Sequence, residues 1–499
     1  MNTPWLKNTE ETYYPPLKED LNADVCVVGG GITGITTAYL LQEAGRRVIL
    51  LEANKIATGV TGHTSGHLTS FLDAHYHNVI SSFGELKAIQ LLYATLLARE
   101  TVEFLMANNA IVADYERVPA YYYATNDDQV NHLKKERNAM DQLGAITKDA
   151  DLTDIPFKCK KAFRIDNQAT LNAAGFVKGL TKAFVEKGGQ IFEQTRVVNF
   201  KEEGEQIRVK TEEGSSVKAK YIVQATHIPI NENPLQLELK NHNSYVMAGE
   251  SGEDVAKGLF YDFAEPYHYT RNYEENGKSM FIVGGFDQKT GEKLSDQNQM
   301  DKLRNFALEN LNIKEMNYSW CSTLFTSPDG LPLIGKDPIH KNSFIATGFA
   351  GDGLTYSIIS AILNTALITK GSHNWEELFD PKRLSPSTLK TAVNKGVTTI
   401  KHLVADKFGI SETTTDDMKP NSAKVIHKDG ENVAVYKDEN GELHTVSALC
   451  THMGCVVHFN NVAKTWDCGC HGSRFGIDGK VLAGPATEKL ESINIFKEQ

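Results

Sequence analysis

Two short segments near the C-terminus, Cys450-Thr-His452-Met-Gly-Cys455 and Cys468-Gly-Cys470-His471-Gly-Ser473, hold the residues of strongest chemical character in this chain. The first carries a Cys and a His two apart, the second a Cys and a His three apart, with fifteen positions (453 to 467) between His452 and Cys468. Thiolates and neutral imidazoles are metal ligands. Two of each suit a [2Fe–2S] cluster with one iron held by sulfur and the other by nitrogen. The same four donors, Cys450, His452, Cys468 and His471, also compose a tetrahedral zinc set. A further pair, Cys455 and Cys470, one in each segment, tips the balance toward the cluster. A cluster of that kind moves electrons one at a time.

The layout resembles the Rieske proteins of cytochrome bc complexes over roughly the last eighty residues. That resemblance implies a disulfide between Cys455 and Cys470 that clamps the two ligand loops. Such a bond sits awkwardly in a reducing cytoplasm, where two free thiols are the alternative. Gly484-Pro485 resembles the family's proline loop over the cluster. The chain departs from the respiratory pattern at Gly469, where a Pro is usual, and at Phe475, where high-potential members carry a Tyr whose hydroxyl reaches a ligating sulfur. Ser473, the other hydroxyl of that kind, is retained. Hydrogen bonds to sulfur stabilise the reduced cluster, so one fewer predicts an intermediate potential within the Rieske range.

The other end of the chain answers the question of where electrons come from. Asp24-Val-Cys-Val-Val28 reads as a buried parallel strand, and Gly29-Gly-Gly31-Ile-Thr-Gly34 follows it at once. A helix over Ile35–Ala44 and a strand over Arg47–Leu51 complete a βαβ unit that ends at Glu52. In that context Gly29, Gly31 and Gly34 let backbone amides approach a pyrophosphate at a helix N-terminus, and Glu52 accepts from ribose hydroxyls. An acid at this position disfavours a 2′-phosphate, which leaves NAD or FAD. No second such motif follows a strand, so a separate NAD(P)H domain is not expected.

Three further segments decide for FAD: Gly59–His67, Ser327–Gly335 and Ala346–Thr355. In order and spacing they resemble the D-amino-acid oxidase superfamily, which includes glycine oxidase, sarcosine oxidase and dimethylglycine dehydrogenase, over roughly residues 22 to 370. By that resemblance Thr61, Gly62, Thr64, Ser65 and His67 would wrap the flavin's pyrophosphate and ring edge. Val198 would contact the adenine, and Ala225 and Thr226 would close the crevice. Gly348, Phe349, Gly351, Gly353, Leu354 and Thr355 would lie along the isoalloxazine and ribityl chain. Reduced flavin is negative at its N1–C2=O locus, which suits a helix N-terminus there. Some members bind FAD covalently through His or Cys, but His63 and His67 are read as ordinary hydrogen-bonding or core histidines.

The resemblance implies oxidation of a C–N bond in a small amine or amino acid, with hydride passing to the flavin. Arg271 is suited to hold a substrate carboxylate in a bidentate grip, with Tyr269 beside it in a substrate-side sheet. A surface ion-pairing role is the alternative for this arginine. Tyr121, Tyr122 and Tyr123 are candidates for pocket walls or a lid, and Asp287 to Gly291 for a polar rim or a turn. Taken together, the expected activity is an FAD-dependent dehydrogenase that relays electrons singly through the cluster to an acceptor protein or quinone. Two alternatives stay open: an electron-transfer component fed by a reductase partner that uses FAD for reduction or oxygen activation, and a redox sensor.

The elements that must position these groups set the architecture. At 499 residues, with 41% hydrophobic and 23% charged content, the chain should hold two or three globular domains. A net charge of −11 argues against nucleic acid or an anionic membrane as partner. The best apolar stretch, Leu354 to Leu367, is too short and too polar to span a bilayer, and Met1 to Leu17 offers no signal sequence, so a cytoplasmic location is expected. The expected fold is an α/β Rossmann-type FAD-binding domain with an interleaved α+β substrate domain over residues 1–384, then a small all-β Rieske domain over 421–499. Between them, Ser385-Pro386 caps a helix whose apolar face is Leu389, Val393, Val397, Ile400, Val404 and Phe408, closed by Gly409, with a polar tether over 411–420. Cys26, Cys159 and Cys321 are read as buried small apolar residues.

Overall fold

A computed structural model describes residues 3–7, 11–252, 257–291, 296–384, 415 and 417–495. The expected helix over 385–409 and most of the tether lie outside the described residues.

The opening βαβ unit nucleates an eight-stranded sheet. Strand Leu21–Val28 pairs in parallel with Val48–Leu51 on one side and Ser216–Gln224 on the other. Val25, Cys26 and Val27 are fully buried there, as strands covered on both faces must be. Helix Ile32–Glu43 packs on one face together with helices Ala173–Glu186 and Gly353–Lys370. The parallel order places the C-terminal strand ends, and the loops after them, along one edge. That edge is where ligands bind in open α/β sheets.

A nine-stranded, largely antiparallel sheet stands against this edge. Its centre is the run Lys240–Ser251, Lys278–Lys289 and His268–Glu275, each antiparallel to the next. The expected strands over Tyr267–Thr270 and Met280–Val283 form part of this run. Tyr121, Tyr122 and Tyr123 are core residues of the same sheet rather than a pocket wall. Tyr122 stacks on Phe71 at 3.9 Å between centroids, and Tyr121 and Tyr123 pack on Phe260 and Phe157. From Ser422 onward the chain forms a three-stranded and a four-stranded antiparallel sheet around Trp466 and Phe475, both fully buried. Cys26 and Cys321 are buried as expected, whereas Cys159 is only partly so. Among the described residues no helix is long and apolar enough to cross a membrane.

Candidate functional site

A cavity of about 310 Å³ runs from the glycine turn after Leu21–Val28 to the face of the nine-stranded sheet. At its first end lie Gly29, Gly30, Gly31 and Glu52. The half-buried Glu52 carboxylate accepts from Gly30 N at 2.6 Å and Asn54 N at 2.7 Å, and desolvation raises its pKa. Thr61 Oγ1 accepts from Ile32 N at 3.0 Å, which ties the Gly59–His67 segment to the helix N-terminus. Thr61, Thr64, Ser65, His67, Ala225, Thr226, Phe349, Gly351, Gly353 and Leu354 all line the cavity.

Four of the expected residues support the wall from behind. A Cβ on Gly34 would stand 1.8 Å from the Gly29 carbonyl oxygen, so this glycine is required for the helix to pack on the turn. Gly62 accepts from Thr3 Oγ1 at 2.7 Å, Gly348 makes the turn into the flavin segment, and Thr355 Oγ1 donates to Thr69 O at 3.1 Å. The adenine-side residue needs correction: Thr195 and Val197 line the cavity, and Val198 does not. Strand alternation turns Val198 away, and the pairing slips at Val197/Asn199, a local irregularity the sequence does not mark.

Arg271 also needs correction. Tyr269 lines the cavity, but Arg271 is sealed off two residues along the same strand. Its guanidinium donates to Gly66 O at 2.9 Å and lies over the Trp5 ring at 5.0 Å. It is 2% exposed, and burial lowers its pKa to about 10. A substrate carboxylate in the cavity does not meet it. His67 Nδ1 shares a 2.6 Å hydrogen bond with Tyr261 Oη, and burial, then the charge of Arg271, holds its pKa well below the usual histidine range. His67 is therefore neutral at pH 7.

The far end of the cavity carries residues that sequence reasoning missed. Tyr261 and Tyr267 join Tyr269, Ser244 and Ser322, facing Asp73 and Asp352. They come from separate strands and loops, so no spacing rule connects them.

The C-terminal domain brings its expected ligand set together. Cys450 and Cys468 share a side-chain hydrogen bond, and the His452 and His471 rings stand 4.9 Å apart. The Nδ1 atoms of both histidines are buried without a hydrogen-bond partner among the described residues, which is the condition of nitrogens set to bind metal. Cys455 and Cys470 form a disulfide with an S–S distance of 2.11 Å. The sulfurs of Cys455, Cys468 and Cys470 lie within 4.8 Å of one another, but the disulfide leaves only Cys468 of these free to ligate. Two thiols, two orphaned imidazole nitrogens and a clamp fit a [2Fe–2S] cluster.

Ser473 Oγ accepts from Ala486 N at 3.0 Å and hydrogen-bonds the Cys450 sulfur, while Phe475 is fully buried with no hydroxyl to offer. Ser473→Ala is expected to lower the cluster's midpoint potential. A bond worth about 1.4 kcal/mol more to the reduced form corresponds to about 60 mV for one electron. An EPR-monitored titration reads the shift.

The two halves share a wall. Leu482 to Thr487, including Gly484 and Pro485, line the same cavity as Glu52 and Thr226. Arg196 Nη2 donates to Val481 O at 2.7 Å, Asn241 Nδ2 to Cys468 O at 3.3 Å, and His452 Nε2 meets Gln236 Oε1 at 3.2 Å. Phe325 packs against Gly472, where a Cβ would come within 2.6 Å of its ring, and stacks edge-on with His227 at 4.7 Å. His227 in turn lines the cavity, so packed side chains connect it to the residue after ligand His471.

Comparison with known proteins agrees with this construction. Residues 24–367 match the family model for FAD dependent oxidoreductases (DAO), and residues 411–494 match that for the Rieske [2Fe-2S] domain. YhfW of Bacillus subtilis (strain 168), named as a Rieske 2Fe-2S iron-sulfur protein, is 32% identical across 99% of this chain and 97% of its own length. Gamma-glutamylputrescine oxidoreductase of Escherichia coli (strain K12) is 23% identical over 71% of this chain and 85% of its own. Glycine oxidase from Geobacillus kaustophilus superposes with a TM-score of 0.60 at 18% identity, over 73% of this chain and all of that one. The chain belongs to the DAO family of FAD-dependent oxidoreductases and carries a C-terminal Rieske [2Fe-2S] domain.

Proposed function

We propose that this protein is a dehydrogenase for the C–N bond of a small amine or amino acid, delivering electrons to an external one-electron acceptor through its own cluster. The observation that carries the reading is the shared wall: Leu482 to Thr487, a segment of the Rieske domain, lines the same cavity as Glu52 and Thr226. Oxidising an amine to an imine removes two electrons and two protons. FAD supplies the two-electron acceptor and can release electrons singly, and a [2Fe–2S] cluster carries one.

The chain's own residues do the rest. Gly29 to Gly31 and the N-terminus of Ile32–Glu43 would cradle the pyrophosphate, and Glu52 the ribose. Gly351 to Leu354 would hold the ring, with the N-terminus of Gly353–Lys370 facing the charge that develops on reduction. Tyr261, Tyr267 and Tyr269 would wall the substrate side, and Asp73 would take the amine proton. Gln236 and Asn241 dock the ligand loops, so cavity and cluster keep one separation. The name of the gamma-glutamylputrescine relative supports an amine substrate.

An anaerobic panel of amines and amino acids, followed at flavin and cluster absorbance, tests the reading. At least one class is expected to bleach the flavin and then the cluster without any partner protein. Bleaching only by a reduced ferredoxin or reductase would overturn it in favour of an electron-transfer component.

A further inference from the structure

We infer that the far end of the cavity binds its substrate as an alkylammonium cation that bears no carboxylate beside the reacting nitrogen. The inference rests on the dehydrogenase reading above and narrows its substrate class.

Asp73 and Asp352 both line the cavity. Asp73 Oδ2 accepts from Gly351 N at 2.8 Å and from the Tyr267 hydroxyl, while Asp352 Oδ2 accepts from Asp73 N at 2.9 Å. A third carboxylate, Asp287, sits behind Tyr269, hydrogen-bonded to Ser244, with Oδ1 lacking a partner among the described residues. Among the described lining residues the only Lys or Arg is Arg196, which belongs to the opposite end beside Glu52. Arg271, the nearest cation along the sheet, is closed off by Gly66 and Trp5.

Asp73 is exposed to the cavity and Asp352 partly so, and each accepts a backbone N–H, which favours the charged carboxylate. An ammonium compensates the negative charge held there, whereas an α-carboxylate adds a like one.

One further feature is independent of the acids. Tyr261, Tyr267 and Tyr269 all line the same space, and aromatic side chains grouped in this way suit an alkylammonium group.

The test uses the full-length holoprotein under anaerobic conditions. Butylamine is compared with D- and L-norvaline, which are the same alkyl amine with an α-carboxylate added. Tetramethylammonium and acetate serve as unreactive probes of charge, read by perturbation of the flavin spectrum. Butylamine is expected to bleach the flavin with an apparent affinity about a hundredfold or more above either norvaline. Tetramethylammonium should perturb the spectrum where acetate does not, and Asp73→Asn should weaken it about tenfold or more at unchanged flavin content.

Norvaline equal to or better than butylamine, or acetate binding in preference to tetramethylammonium, overturns the inference and leaves the dehydrogenase reading intact. Tetramethylammonium binding without reduction by any amine upholds the cation site and removes the dehydrogenase reading.

Discussion

Replacing Cys468 by Ser is expected to divide the protein's activity in two. The variant should lose the EPR signal and visible absorbance of the cluster, keep its flavin, and still be bleached by substrate at a rate within about twofold of the parent. Its turnover with a protein acceptor such as cytochrome c should fall about a hundredfold or more. Cys468 is 1% exposed and pairs with Cys450, so its removal leaves the ligand set with one of its two sulfurs. Its backbone carbonyl still receives Asn241 Nδ2, and the Cys455–Cys470 disulfide still ties the loops. The wall that Leu482 to Thr487 contribute to the cavity is therefore retained. Equal loss in both half-reactions would mean that the cluster shapes the flavin site rather than draining it.

Gly34→Ala carries the second large effect, on flavin retention. The added Cβ would meet the Gly29 carbonyl oxygen at 1.8 Å, with the Ala225 Cβ already at 3.3 Å. Helix Ile32–Glu43 must then shift away from the turn that would hold the pyrophosphate. Overpacking of this kind costs roughly 1–3 kcal/mol in stability. Each 1.4 kcal/mol lost from flavin binding lowers affinity about tenfold. Flavin content after gel filtration, with the melting temperature of the same sample, measures both. Full flavin content at an unchanged melting temperature would contradict the packing described for this turn.

What the sequence made legible was local and contiguous. The Gly29–Gly34 turn and Glu52 sit in one βαβ unit, and the four ligands sit in two short segments, so periodicity and spacing located them. The far end of the cavity was not legible in this way. Ser244, Tyr261 and Ser322 lie on three strands of one sheet and Asp73 and Asp352 in loops distant in sequence, so only the tertiary fold brings them together. Arg271 illustrates the limit. Strand period puts it on the face of Tyr269, but nothing in the spacing reveals that Gly66 and Trp5 cover it. Val197 and Val198 differ by one residue, and the irregularity that decides between them carries no Gly or Pro signal. The docking of Gln236 on His452 joins residues 216 apart in sequence, between domains that periodicity treats separately.

In the proposed function, electrons pass from substrate through the flavin to the cluster within one chain. Anaerobic stopped-flow mixing of the holoprotein with its reducing amine, followed at flavin and cluster wavelengths, measures this directly. The account predicts that flavin bleaching comes first and that cluster bleaching follows with a rate independent of protein concentration. A cluster that stays oxidised while the flavin is fully bleached, or one whose reduction rate rises in proportion to protein concentration, would contradict it.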